Sequence, residues 1–102
     1  MTILLPPEAL LDLIVQGEDQ MDPHDLRIWD LIKMEPSKWF HVTMKKVWAV
    51  GLTGNRVLWH DHWEDGFRIT NWTTLLNIGS GGSVESSLAR SIKPFRGWID
   101  NT

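Results

Sequence analysis

Two histidines one residue apart, His60 and His62, stand in the run His60-Asp61-His62-Trp63-Glu64-Asp65-Gly66-Phe67, where acids and aromatics crowd together. On an extended strand, residues two apart point to the same face, so the two imidazoles and a nearby carboxylate have the types a metal centre needs. Two histidines are nevertheless too few for a structural or a catalytic centre. Glu64 and Asp65 offer paired carboxylates for acid and base work, but adjacent residues rarely converge on one bond, and acids are common in turns because they are solvated. The serines between Ser80 and Ser91 lack a Gly-x-Ser-x-Gly turn. Gly79-Ser80-Gly81-Gly82-Ser83 lacks the lysine of a phosphate loop, since none follows until Lys93. The chain has no cysteine, which removes disulfides, zinc-thiolate sites and thiol nucleophiles and fits a reducing compartment. The reading is a non-enzymatic protein with no cofactor and no metal.

Gly54, five intervening residues and His60-x-His62 resemble the opening of the cupin metal motif. The pattern then departs: Glu64 follows too early and no histidine occurs after His62. A metal-dependent enzyme using His60 and His62 would need a cleft holding both and a carboxylate from elsewhere. A binder instead needs an exposed acidic or aromatic patch.

The elements that must position these residues are legible from punctuation and periodicity. At 102 residues the chain suffices for a single domain, 1–102. Pro6-Pro7 opens a leucine-rich helix that Gly17 should close, with Glu8, Asp12 and Gln16 as a narrow polar stripe and the rest largely buried. Asp22-Pro23-His24-Asp25 opens a second helix, with Asp22 as cap, Ile28, Trp29 and Ile32 on one face, and Pro36 ending it at Glu35. From Trp39 the period becomes two: Phe40, Val42, Met44, Trp48, Val50 and Leu52 predict a buried even-numbered face. Gly54-Asn55 predicts a hairpin turn that sets Leu52 opposite Val57, Val50 opposite Trp59 and Trp48 opposite Asp61. In that register His60 and His62 face away from the packed side. Asp65-Gly66 is the next turn, and Phe67 to Thr70 a third antiparallel strand; residues 71–78 read as short helix or irregular chain. After the glycine-serine loop, Val84, Leu88 and Ile92 predict a short helix ending before Pro94, beyond which Phe95, Trp98 and Ile99 fold back on the core or add an edge strand.

Charge is unevenly spread. Residues 1–35 carry eight acids against Arg27 and Lys33, a local balance of −6, so the remainder carries +3. Acids at one end steer a basic partner or simply decorate exposed helix faces. Negative net charge and the lack of a recognised motif argue against nucleic acid, although Arg90, Lys93 and Arg96 with Phe95 and Trp98 make a basic aromatic tail. No apolar run approaches a bilayer's thickness, and the N-terminus, lacking a basic leader, does not read as a signal peptide; a cytoplasmic protein without membrane contact is expected. Of seven tryptophans, Trp29, Trp48 and Trp59 fall on predicted core positions, while Trp63 and Trp72 adjoin turns. Exposed tryptophans anchor protein interfaces and stack on sugar rings.

The segment Val57 to Ile69, in which an apolar strand leads into an acidic turn and a Gly-Phe pair, resembles a hairpin of small uncharacterised bacterial α+β proteins. Some proteins of that kind are immunity proteins that neutralise a co-produced toxin. The resemblance implies the same role here. The expected architecture is α+β: two N-terminal helices packed on an antiparallel sheet of three to five strands, with a short C-terminal helix. The expected function is protein binding, as toxin neutralisation or regulation of a basic toxin or enzyme, through Asp19, Asp22, Asp30, His60, His62, Trp63, Glu64 and Asp65. A small-ligand or carbohydrate binder using exposed tryptophans is the alternative, followed by the metal-dependent enzyme.

Overall fold

Asp22 accepts a 2.7 Å hydrogen bond from the backbone N–H of Asp25, and Pro23 supplies the φ of a first helical turn, so the helix Pro23–Ile32 begins where capping chemistry demands. The computed structural model describes residues 4–43, 45–74, 76–79 and 81–100, without the side chains of residues 73 and 98–100. In chain order the elements are α1 (Pro7–Asp19), α2 (Pro23–Ile32), β1 (Lys33–His41), β2 (Lys45–Thr53), β3 (Arg56–Asp61), β4 (Gly66–Thr74), β5 (Asn77–Ile78), α3 (Leu88–Ser91) and α4 (Phe95–Asp100). The protein is α+β. Its two N-terminal helices and short C-terminal helices pack on a mostly antiparallel sheet. None of the described helices is long and apolar enough to cross a membrane.

The sheet closes on itself in the order β1-β2-β3-β4-β5, because β5 pairs antiparallel with β4 and parallel with β1. Glu85 adds an isolated antiparallel bridge to Phe67. Closure gives the strands two apolar environments. Inside lie Trp39, Val47, Ala49, Val57, Trp59 and Ile78. Outside, Trp48, Val50, Leu58 and Phe67 pack under Leu10, Ile28, Trp29, Ile32, Leu88, Ile92 and Phe95 from the helices. The buried indoles find polar partners: Trp29 donates to Glu18, Trp48 to the Leu5 carbonyl, and Trp59 to Thr70.

Several expectations change. The even-face rule fails in β1 and the turn after it: Trp39 is buried, whereas Phe40 is half-exposed and Val42, in the turn, is 80% exposed; Met44 lies outside the described residues. In a closed sheet the odd face is interior, and helices cover only part of the even face. The Gly54-Asn55 turn and the Leu52–Val57 pair are as expected, but Val50 is then bulged out of register. Ala49 therefore faces Trp59, and Trp48 faces His60 rather than Asp61. The same bulge lets even-numbered Leu52 join Trp59 inside the barrel.

Among the helices, α1 runs through Gly17 to Asp19, and Gly17 is there for close packing, because a Cβ would stand 2.6 Å from that of Leu88. Leu11 and Val15 are half-exposed, so α1 buries one face rather than most of its surface. α2 stops at Ile32, and Pro36 lies within β1 instead of ending the helix. Residues 71–74 extend β4 and 77–78 form β5, instead of helix or irregular chain. Past the 79–83 loop, whose Ser80 is outside the described residues, Val84 precedes α3 and is exposed. Phe95 does fold onto the core, at the start of a helix rather than an edge strand; the side chains of Trp98 and Ile99 lie outside the described residues.

Candidate functional site

At the end of the barrel where β3 passes into the turn of residues 62–65, Asp61 organises its surroundings. It is buried, and its Oδ1 accepts from the backbone N–H groups of Trp63 at 2.9 Å and Glu64 at 3.0 Å. Its Oδ2 accepts from Arg68 Nε at 2.6 Å. Burial pushes the Asp61 carboxyl up, but the Arg68 hydrogen bond and the two backbone donors outweigh it and hold the group below the ordinary carboxylate value. The turn carrying Trp63, Glu64 and Asp65 is thus pinned from beneath, with Asp65 in the left-handed region at φ 53°.

Beside it lies a cleft of about 240 Å³ lined by His41, Trp59, Asp61, Trp63, Glu64 and Arg68 among others. Trp59 forms a buried wall, and the His41 ring lies 5.1 Å from it at a tilt of 39°. His41 Nδ1 accepts from the Thr43 N–H at 3.1 Å, so in the neutral ring the proton sits on Nε2. Desolvation lowers the His41 pKa, against the pull of Asp61. Arg68 is tied back on both sides, donating from Nε to Asp61 and from Nη1 to the Gly82 carbonyl.

The sequence-derived candidates separate. Trp63 is 49% exposed, the most open of the described tryptophan side chains, and Glu64 and Asp65 are exposed beside it. His60 is the clear correction: at 1% exposure it shares the covered outer face with Leu58 and with Trp48, which the Val50 bulge sets opposite it, and it lies edge-on to Phe67 at 5.2 Å. Neither of its ring nitrogens has a hydrogen-bond partner among the described residues, and the nearest carboxylate oxygen, on Asp65, is 3.9 Å away. His62 is partly buried, and its Nδ1 has no hydrogen-bond partner among the described residues. Neither histidine lines the cleft, and among the described residues no group of three or more potential ligands is placed to hold a metal.

Asp19, Asp22 and Asp30 do not join this site. Asp30 pairs with Lys33 at 2.9 Å, and Asp22 with Arg96 at 3.2 Å. Sequence reasoning missed His41 and Arg68. His41 was hidden by the inverted phase of β1, and Arg68 only acquires meaning across the ladder, where it pairs with Trp59. A second hollow of about 600 Å³ lies between β4 and the 79–94 segment, lined by Arg56, Thr70, Asn71, Ser83 and Ser91 among others. Comparisons with protein-family models, with curated proteins and with solved structures find no match for this chain.

Proposed function

We propose that this chain is a non-enzymatic protein-binding domain that presents the 62–65 turn to a basic protein, such as a toxin or enzyme that it neutralises or regulates. The observation that carries the reading is the Asp61 clamp, which sets the turn backbone while Trp63, Glu64 and Asp65 remain open to solvent. A recognition loop already held in shape loses less conformational entropy on binding. An exposed indole flanked by carboxylates supplies an anchor together with charge that steers a basic surface. The most strongly held ionic pair of the cleft, Asp61 with Arg68, is satisfied internally, which suits a scaffold better than acid or base chemistry.

The test is to recover the partner by affinity capture and compare wild type, Trp63→Ala and Asp19→Lys/Asp30→Lys for binding. Trp63→Ala should weaken binding by about 2 kcal/mol or more, as hot-spot truncations do. The helix double variant should act mainly on the association rate. Full binding by folded Trp63→Ala would overturn the reading.

The 600 Å³ hollow supports a second reading, since its volume lies in the range of small-ligand sites. A small molecule that raises the melting temperature of wild type and of Trp63→Ala, but not of Asn71→Ala, would favour it.

A further inference from the structure

We infer that the 240 Å³ cleft beside Trp63 receives a single cationic side chain, a lysine or arginine of the partner, between Trp63 and Trp59 with Glu64 as its counter-ion. This rests on the reading of the turn as a recognition surface and names what that surface grips.

Size comes first. At about 30 Å³ per water, the cleft holds on the order of eight waters, enough for one long side chain but below the usual 300 Å³ or so of a small-molecule pocket. The walls come second. Trp63 contributes an open indole, and cations are drawn to indole faces, while Trp59, 1% exposed and lying against the His41 ring, closes the cleft from within. Charge comes third. Asp61 and Arg68 neutralise each other at 2.6 Å, and Arg68 is further tied to Gly82, so Glu64 leaves the lining with a net formal charge of −1. Lys45 and Lys46 begin β2 across the ladder from His41 and Phe40, but both are exposed and neither lines the cleft. A lysine or arginine also has the right form, an apolar stem to lie along indole and a charged head to reach a carboxylate. An acidic guest would bring its charge against Glu64.

The experiment uses the whole chain and small probes, so it does not depend on having the partner. N-acetyl-lysine amide, N-acetyl-arginine amide and N-acetyl-glutamate amide are titrated while the indole N–H signals are followed by two-dimensional NMR, with Trp63 assigned through Trp63→Phe. The cationic probes should move the Trp63 signal with a Kd on the order of 1 mM, and the glutamate probe should not. Glu64→Gln should weaken the cationic probes about threefold or more, and Trp63→Ala, followed through the Trp59 indole N–H, by about two- to fivefold, the size of one exposed cation–π contact. Both residues are exposed, so the folded spectrum should be kept. Response to the glutamate probe, no response to either cation, or cation binding unchanged in Glu64→Gln and Trp63→Ala would each overturn the inference. A partner that still depends on Trp63 while the cationic probes fail would overturn cleft insertion alone and leave the protein-binding reading standing.

Discussion

His60 sets a polar ring in an apolar place. Its two nitrogens are buried without hydrogen bonds among the described residues, and burial lowers its pKa despite the pull of Asp65. His41 and His62 are lowered too, desolvation again being the main cause. For each, the unfolded chain takes up a proton as pH falls below about 6.5, while the folded chain resists doing so until its lower pKa is reached. Stability should therefore be fully present above about pH 6.5 and be lost as pH falls from there toward the folded pKa values. Asp61 has the carboxylate form of the same linkage, its contribution being lost only at lower pH, as pH falls through its depressed folded pKa. The check is the urea midpoint as a function of pH. In His60→Leu the loss below pH 6.5 should be smaller, and at neutral pH removal of two unsatisfied nitrogens should be neutral or stabilising by about 1 kcal/mol. An unchanged acid limb in that variant would exclude His60 as a contributor.

At the scale of elements, Gly17 shows how a contact can reverse a propensity. In an open helix, alanine in place of glycine stabilises by about 1 kcal/mol. Here the added Cβ would meet Leu88 Cβ at 2.6 Å, and neither backbone can yield without separating α1 from α3. Overpacking of this kind costs about 1–3 kcal/mol. Gly17→Ala should thus lower stability by up to about 2 kcal/mol in thermal or urea unfolding, and a stabilised variant would show that α1 and α3 do not pack this way. The residue was legible in the sequence as a glycine near a helix end. What lay opposite it, 71 positions later, was not.

Across the whole molecule, part of the charge asymmetry is consumed internally. Asp25, 2% exposed, accepts from Lys93 Nζ at 3.2 Å and Arg96 Nε at 2.8 Å, binding α2 to the C-terminal segment. Asp22 joins through Arg96, and its carboxyl is held below the ordinary value chiefly by the Asp25 N–H. These acids are therefore part of the fold before they are available to any partner. Both basic side chains keep contact with water, which moderates the loss when the acid is removed. Asp25→Asn should destabilise the chain by about 1–3 kcal/mol, the range for hydrogen bonds to charged groups. Limited proteolysis should also cut faster near residues 93–97. Equal stability and equal cleavage rates would show that the tie carries no load.

Local chemistry decided what the chain could announce on its own. Capping at Asp22-Pro23, the Gly54-Asn55 turn, a turn reaching Asp65 and the α+β order all rest on interactions within a few residues, so the sequence determined them, although that second turn spans 62–65 and Gly66 already opens β4. The fate of His60, the burial of Trp39 in place of Phe40, and the meeting of His41 with Trp59 and Arg68 depended on closure of the sheet and on one bulged residue. Side chains alternate with a period of two, so a single extra residue in β2 shifts the partners of all that follows, and closure buries the face that alternation marks as exposed. Those are long-range constraints, and only the tertiary structure contains them.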